Sequence, residues 1–415
     1  MQTIESPPQV LTLPPTRFRE NEARGARIAR PLRRRGYVSG HVDEALMQQI
    51  GEALMQRDEP AAALAHAIKM RAGEPGRVTQ QQLRLALEEG IDSVSDAPPV
   101  LVDFIELVSE VPDWVDQELV DRGALVMQGM GANARDVLEH LALVGGYRFG
   151  GPGDLLVATG GLTGRRALRR LAETQHWTVD IAVPGALRPG NGGWKMTVHV
   201  RMMHAIVNAM YEERWDVDRW GLPINQADQA GTLGLFSSTL VVGCRGLGMP
   251  ISREDAHAVM HMWKYVGWLQ GVDDRFLTDD EYEAHRISYH LVLAAPNVSE
   301  AGPQLAHSIY EAVGRRHFKG WPERLLGLRS RYERERFLSM MSAFVGRAGM
   351  SDLDLSWRPS WAPATAFVRN TLRYRVVDRM LPGGKRRRER LGREKALELV
   401  DSYFEGEKAE VGALP

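Results

Sequence analysis

The chain has 415 residues, 44% of them hydrophobic and 25% charged, with a formal net charge of −1. This is ordinary soluble globular composition, with enough apolar material for a large core. One cysteine, Cys244, excludes an internal disulfide, and no stretch reaches the roughly 18 apolar residues of a membrane span.

In chain order, residues 1–16 are Pro-rich and read as extended. Arg17 to Arg35 carries eight arginines and reads as a solvated arm lying on an acidic surface. Phe18 and Tyr37 are too few aromatics for a nucleic-acid platform, so no nucleic-acid partner is expected. Helical apolar spacing over 43–57, 61–72 and 79–89 predicts three amphipathic helices. After the breaker Asp96-Ala-Pro-Pro99, helices are expected over 100–111 and 113–130, with Asp113 as an N-terminal acid, and over 134–144. Gly150-Gly151-Pro152-Gly153 makes a turn that puts Asp154 at the start of a short helix, but the phosphate-loop pattern is absent.

The central stretch runs from Arg169 to Asp228. A very basic helix over 162–182 carries Arg170 and Thr174 four residues apart, on one face, with Glu173 between them. A loop rich in Gly and Pro leads to a second helix over 194–215, started by Asn191-Gly192-Gly193. On it His204 shares a face with Val200 and Val207 on one side, and Arg201 and Asn208 on the other. Such a histidine is either a hydrogen-bonded core residue or a metal ligand on an apolar surface.

Farther on, Trp220 to Asn225 reads as a loop and 229–242 as an apolar helix or helix pair with Gly231 and Gly234. Ser252 starts a helix over 256–269, in which His257 and His261 are four apart but lack the HExxH pattern of zinc enzymes. Helices over 284–293, 302–318, 322–345 and 361–380 follow, and Gly383 opens a basic tail whose last helix ends near Phe404.

Three motifs occur in order. They are Arg170-x-x-x-Thr174, then Val200-Arg201-Met202-Met203-His204-Ala205, then Trp220-Gly221-x-Pro223-Ile224-Asn225-Gln226-x-Asp228. Together they resemble the family of the latex-clearing rubber oxygenases and the MpaB oxygenase of mycophenolic acid biosynthesis. Pro112-Asp113-Trp114-Val115-Asp116, Thr159-Gly160-Gly161-Leu162 and Gly267-Trp268-x-x-Gly271-Val272 extend the likeness to roughly residues 100–380. The resemblance implies an all-α fold, a single large multi-helix domain with a globin-like haem-binding core. It also implies non-covalent haem b, with His204 as its iron ligand, and dioxygen as co-substrate. The activity implied is oxidation or cleavage of carbon–carbon double bonds in isoprenoid chains. No Cys-x-x-Cys-His is present for covalent attachment.

On this reading Arg170 and Thr174 are catalytic groups on the oxygen side, Glu173 handles protons or iron access, and Asp154 matches an upstream acid that acts as base. Val200 and Val207 give the porphyrin its apolar surface, with Arg201 either at a propionate, the preferred reading, or supporting the fold, and Asn208 beside it. Two departures stand out. Rubber-cleaving members carry lysine where this chain has Glu173, and arginine where it has Asn208. They point away from polymer cleavage and toward a small hydrophobic, isoprenoid or lipid-like substrate. The alternative is a non-catalytic haem- or lipid-binding helical protein. The expected organisation is an arm (1–40), N-terminal helices (41–99), the haem oxygenase domain (100–382) and a basic tail (383–415). Without an apolar run of signal-peptide length, the chain reads as cytoplasmic.

Overall fold

The computed structural model describes residues 13–160, 165–316, 318, 320–380 and 383–403; at 165–171, 375, 377, 379, 385 and 399–403 it describes the backbone alone. Among these residues every regular element is a helix, as the three-to-four-residue apolar spacing dictates. Among the described residues no helix is long and apolar enough to cross a membrane.

The arm is folded onto the body. It forms α1 (Glu22–Ile28) and α2 (Arg30–Arg34), and α1 packs against the helix Glu281–Ala294. Gly25 allows the approach, since a Cβ there would run into the backbone of Val292 and Leu293. Arg17 is 2% exposed and pairs with Asp228 at 2.6 Å, and Arg24 pairs with Asp352 at 2.9 Å. The expected solvated arginine face is therefore reduced to Arg27, Arg30, Arg33, Arg34 and Arg35. Burying a guanidinium is costly unless it is paired, and the inner arginines have partners.

Helices α3 (Glu44–Ala53), α4 (Glu59–Lys69) and α5 (Gln80–Glu89) begin at Asp43, Asp58 and Thr79, whose side chains accept first-turn amides. They do not form a separate unit: α3 packs on the helix Glu281–Ala294, and α4 on α6 (Pro99–Ser109) and on the helix Gly192–Tyr211. Helix α7 (Gln117–Met130) starts later than expected. Asp116, not Asp113, caps it by accepting the amides of Glu118 and Leu119. After α8 (Ala132–Asp136) the chain runs as a π-helical segment through Val137–Val144, an insertion that apolar spacing does not reveal.

Next come α9 (Pro152–Ala158), α10 (Arg165–Ile181), α11 (Gly192–Tyr211) and the short α12 (Val217–Trp220). The apolar segment expected over 229–242 is two helices, α13 (Gln226–Phe236) and α14 (Ser238–Gly246). They are broken at Ser237, whose φ of −102° and ψ of −95° are not helical. Helix α15 (Arg253–Leu269), capped by Ser252, is the core of the molecule. Trp263 and Tyr265 are at most 1% exposed, and truncating such an aromatic costs about 3–5 kcal/mol. It lies along α7, where Gly123 leaves no room for a Cβ against the Ala258 carbonyl. Helices α16 (Glu281–Ala294), α17 (Ala301–Val313), α18 (Glu323–Asp352), α19 (Trp361–Leu372), α20 (Asp378–Met380) and α21 (Gly384–Tyr403) complete the domain. α18 bends at Gly346, where φ is 67°. The basic tail is docked as well, with α21 packing on α7 and α10.

Candidate functional site

Helix α11 has two faces. Gly193, Trp194, Thr197, Val198, Arg201, Met202, Ala205, Ile206 and Asn208 are buried. Met196, His199, Val200, Met203, His204 and Val207 are only half-buried, and Met210 is exposed. This second face is a continuous apolar stripe in which the two imidazoles are the only polar side chains. A stripe of that length left half covered by protein is a surface for an apolar partner.

Four contacts fix the rotation of α11, so that the stripe is presented. Trp194 Nε1 donates to the Val108 carbonyl at 3.0 Å. Trp177 Nε1, from α10, donates to Thr197 Oγ1 at 3.0 Å. Arg201 grips Asp58 through Nε at 2.6 Å and Nη2 at 2.8 Å. Asn208 Oδ1 accepts the Ile224 amide at 3.0 Å, pinning the loop after α12 to the helix. Arg201 and Asn208, expected beside a bound cofactor, are thus turned to the buried side and used to orient the helix. Arg201 was expected at a propionate, but its guanidinium is 5% exposed and committed to Asp58.

From the Trp177–Thr197 tie, α10 and α11 both lead away from the loop that joins them. Arg170 and His204 each lie seven residues from the tie, about 10 Å along either helix. The Arg170 side chain lies outside the described residues. Thr174 is exposed on the wall of a cavity of about 1010 Å³, with Gln175 and Thr178 beside it. Leu141 of the π-helical segment and Gly231, Leu235 and Phe236 of α13 line the same cavity. A Cβ on Gly231 would meet nothing within 4 Å, so α13 presents flat, open surface there. His204 is not on this wall. Phe236, on the cavity wall, lies 5.9 Å from Trp177 and 5.2 Å from Trp263, ring to ring, and Trp177 in turn holds Thr197 of α11.

Of the remaining expected residues, Glu173 is half-buried, and Val200 and Val207 flank His204 on the stripe. Asp154 is not on the cavity wall. Its Oδ2 accepts the Gly151 amide at 2.8 Å, which caps its own helix. His257 and His261 hold no shared ligand position. His261 Nε2 accepts the Asp116 amide at 3.0 Å, and its Nδ1 lies 2.9 Å from Asp279 Oδ2. Both ring nitrogens tie α15 to the start of α7 and to the loop before α16.

A family model, described as the catalytic domain of the ER-bound oxygenase mpaB/B'/rubber oxygenase, matches residues 117–390. The chain belongs to this family. The rubber oxygenase of Streptomyces sp. (strain K30) is 26% identical over 194 residues, which are 43% of this chain and 45% of that protein. The match therefore spans less than half the length of this curated relative. The latex clearing protein in its closed state superposes with a TM-score of 0.63 at 19% identity, covering 83% of this chain and 91% of that one. This establishes the shared all-α fold.

Sequence reasoning missed several residues that the structure brings in. Asp58, far from α11 in sequence, is the partner of Arg201, and only its cap position before α4 was legible. Met196 and His199 extend the apolar stripe; the three-to-four-residue spacing from Met203 would have found them. His199 Nε2 is buried without a hydrogen-bond partner, and burial pushes that imidazole's pKa down, favouring the neutral ring. Gln175 and Thr178 on the cavity wall carry no sequence signal beyond lying one and four residues past Thr174.

Proposed function

We propose that this protein is a haem b-dependent oxygenase. It would use dioxygen to oxidise or cleave a carbon–carbon double bond of an unsaturated isoprenoid or lipid-like chain. The observation that carries the reading is the half-covered apolar stripe of α11 with His204 at its centre. A bare divalent ion asks for several polar ligands. Among the described residues no group of three or more His, Cys, Asp or Glu stands together. One imidazole set in aliphatic surface fits an iron already held by a porphyrin. His204 would be its protein ligand, and Val200, Met203 and Val207, which flank it on the stripe, would hold the ring.

When bound, the haem supplies the iron that makes dioxygen reactive. The chain's own residues do the rest. Thr174 Oγ1 would supply a hydrogen-bond donor on the oxygen side, and Arg170, one helical turn earlier in the chain, is assigned the positive charge there. The cavity beside Thr174 receives the apolar chain and excludes water from it. Glu173 is assigned the handling of protons, because Asp154 is occupied as a helix cap. Arg201 is assigned to Asp58 and not to the cofactor.

The test is oxygen consumption by the haem-loaded protein with unsaturated terpenoid or fatty chains, together with carbonyl product analysis. Cleavage adds both oxygen atoms across the double bond, giving two carbonyls. Uptake matched by carbonyl products, and lost in Thr174→Ala while haem is retained, supports the proposal. No uptake with any such chain would sink it.

A further inference from the structure

We infer that the substrate is an amphipathic acid: an apolar chain whose anionic head group is met by Arg27 and Arg35 at the mouth of the cavity. The inference rests on the reading that this cavity holds the substrate, and it adds the chemical class.

The wall of the cavity carries five arginines, Arg17, Arg24, Arg27, Arg35 and Arg148, but only three acids, Glu139, Asp228 and Asp352. The inner arginines are neutralised. Arg17 pairs with Asp228 at 2.6 Å, and Arg24 and Arg148 share Asp352 at 2.9 Å each. Glu139 is 2% exposed and held ionised, its pKa depressed by the surrounding His140, Arg135 and Arg316 although burial opposes this. Arg27 and Arg35 differ from the inner three. Both are exposed, both line the cavity, and neither makes an ion pair with a described residue. Between them in sequence, Ile28, Pro31 and Leu32 line the same wall. The lining thus combines apolar side chains with two exposed cations, and the same cavity is lined by Leu235, Phe236 and Thr174. A neutral hydrocarbon gains nothing from two guanidiniums that have no ion-pair partner among the described residues. A carboxylate or phosphate gains charge-assisted hydrogen bonds, and its tail is left in apolar surroundings.

The experiment is calorimetric titration of the full-length protein, at monomeric ligand concentrations, with two matched pairs: oleate against oleyl alcohol, and farnesyl phosphate against farnesol. The expected result is that at least one acid binds about tenfold more tightly than its alcohol, and that added salt reduces the preference. The pair showing the larger preference distinguishes a carboxylate from a phosphate head. In the Arg27→Gln/Arg35→Gln double variant the acid falls to the affinity of the alcohol, while alcohol binding is unchanged. Arg30→Gln, exposed on the same arm but not on the cavity wall, leaves the preference intact. Equal affinity for acid and alcohol in both pairs, a preference that survives the double variant, equal loss in Arg30→Gln, or no binding of any probe would each overturn the inference. Binding is read without turnover. A protein that prefers acids but consumes no oxygen would overturn the oxygenase reading and leave this one standing.

Discussion

Replacing Asp58 by asparagine isolates the contact that sets the rotation of α11. Asparagine still serves as the cap of α4, whose bond from the Ala61 amide is long at 3.4 Å, so the substitution keeps the cap, removes the charge and turns one of the two acceptors facing Arg201 into a donor. Arg201 and Asp58 make two charge-assisted hydrogen bonds, at 2.6 and 2.8 Å, with side chains 5% and 11% exposed. At that burial solvent screens little, and taking the charge from one partner of a buried pair costs about 3–5 kcal/mol. The stacking of Arg201 over Phe104, at 5.4 Å, survives the change and keeps the loss toward the lower end, about 3 kcal/mol. The assay is urea unfolding of the haem-free protein for Asp58→Asn, Arg201→Met and the double variant. A coupling energy of about 2 kcal/mol or more is expected. Coupling under about 0.5 kcal/mol would show that the pair does not hold the helix and that Arg201 is available for another role, a propionate included.

On the oxygen side, Arg170→Ala and Thr174→Ala are expected to keep haem and lose on the order of 100-fold in turnover. Glu173→Gln should keep a substantial part, and the reverse order in steady-state oxygen uptake would make Glu173 the working group. Gly231→Ala should stabilise the haem-free protein by about 0.5–1 kcal/mol, because the Cβ meets nothing within 4 Å in a helix interior. Gly231→Phe should instead block ligand titration, and unchanged binding in that variant would remove α13 from the site. The Asp279 carboxyl is held down at about 2, chiefly by its hydrogen bond to His261, against the opposing cost of burial. Its folded-state value lies below the ordinary carboxyl value, so its contribution is full above about pH 4 and is lost as pH falls toward 2. Asp279→Asn should therefore cost up to about 2 kcal/mol near neutrality and flatten the acid limb of a stability-versus-pH curve; an unchanged limb would contradict the assignment.

Much of the helical order was legible because apolar spacing and caps are local signals. Ser252 before α15 and the glycine start of α11 both stood where expected. Asp113 misled because a second aspartate, Asp116, competes for the same role and its carboxylate reaches two amides. The π-helical segment over 137–144 and the break at Ser237 depend on tertiary packing and leave no mark in spacing. In the site, the identity of the helix face around His204 could be read, but its sense could not. Arg201 and Asn208 lie three and four residues from His204, a spacing equally compatible with the ligand face or the buried one. Only the distant partners Asp58 and Ile224 decide for burial. The arm was read as lying on an acidic surface, but the burial of its inner arginines was not foreseen, for the same reason. Arg17 looks like solvated charge until Asp228, 211 residues away, is folded against it.

The most direct test of the central claim is haem titration followed by Soret absorbance, comparing the unaltered protein with His204→Ala and His199→Ala. The account predicts one haem per chain for the unaltered protein and for His199→Ala, and loss of binding for His204→Ala with the helical circular dichroism signal retained. Full occupancy with an unchanged spectrum in His204→Ala would contradict it. So would loss of haem in His199→Ala alone, which would transfer the ligand role five residues back along the same helix.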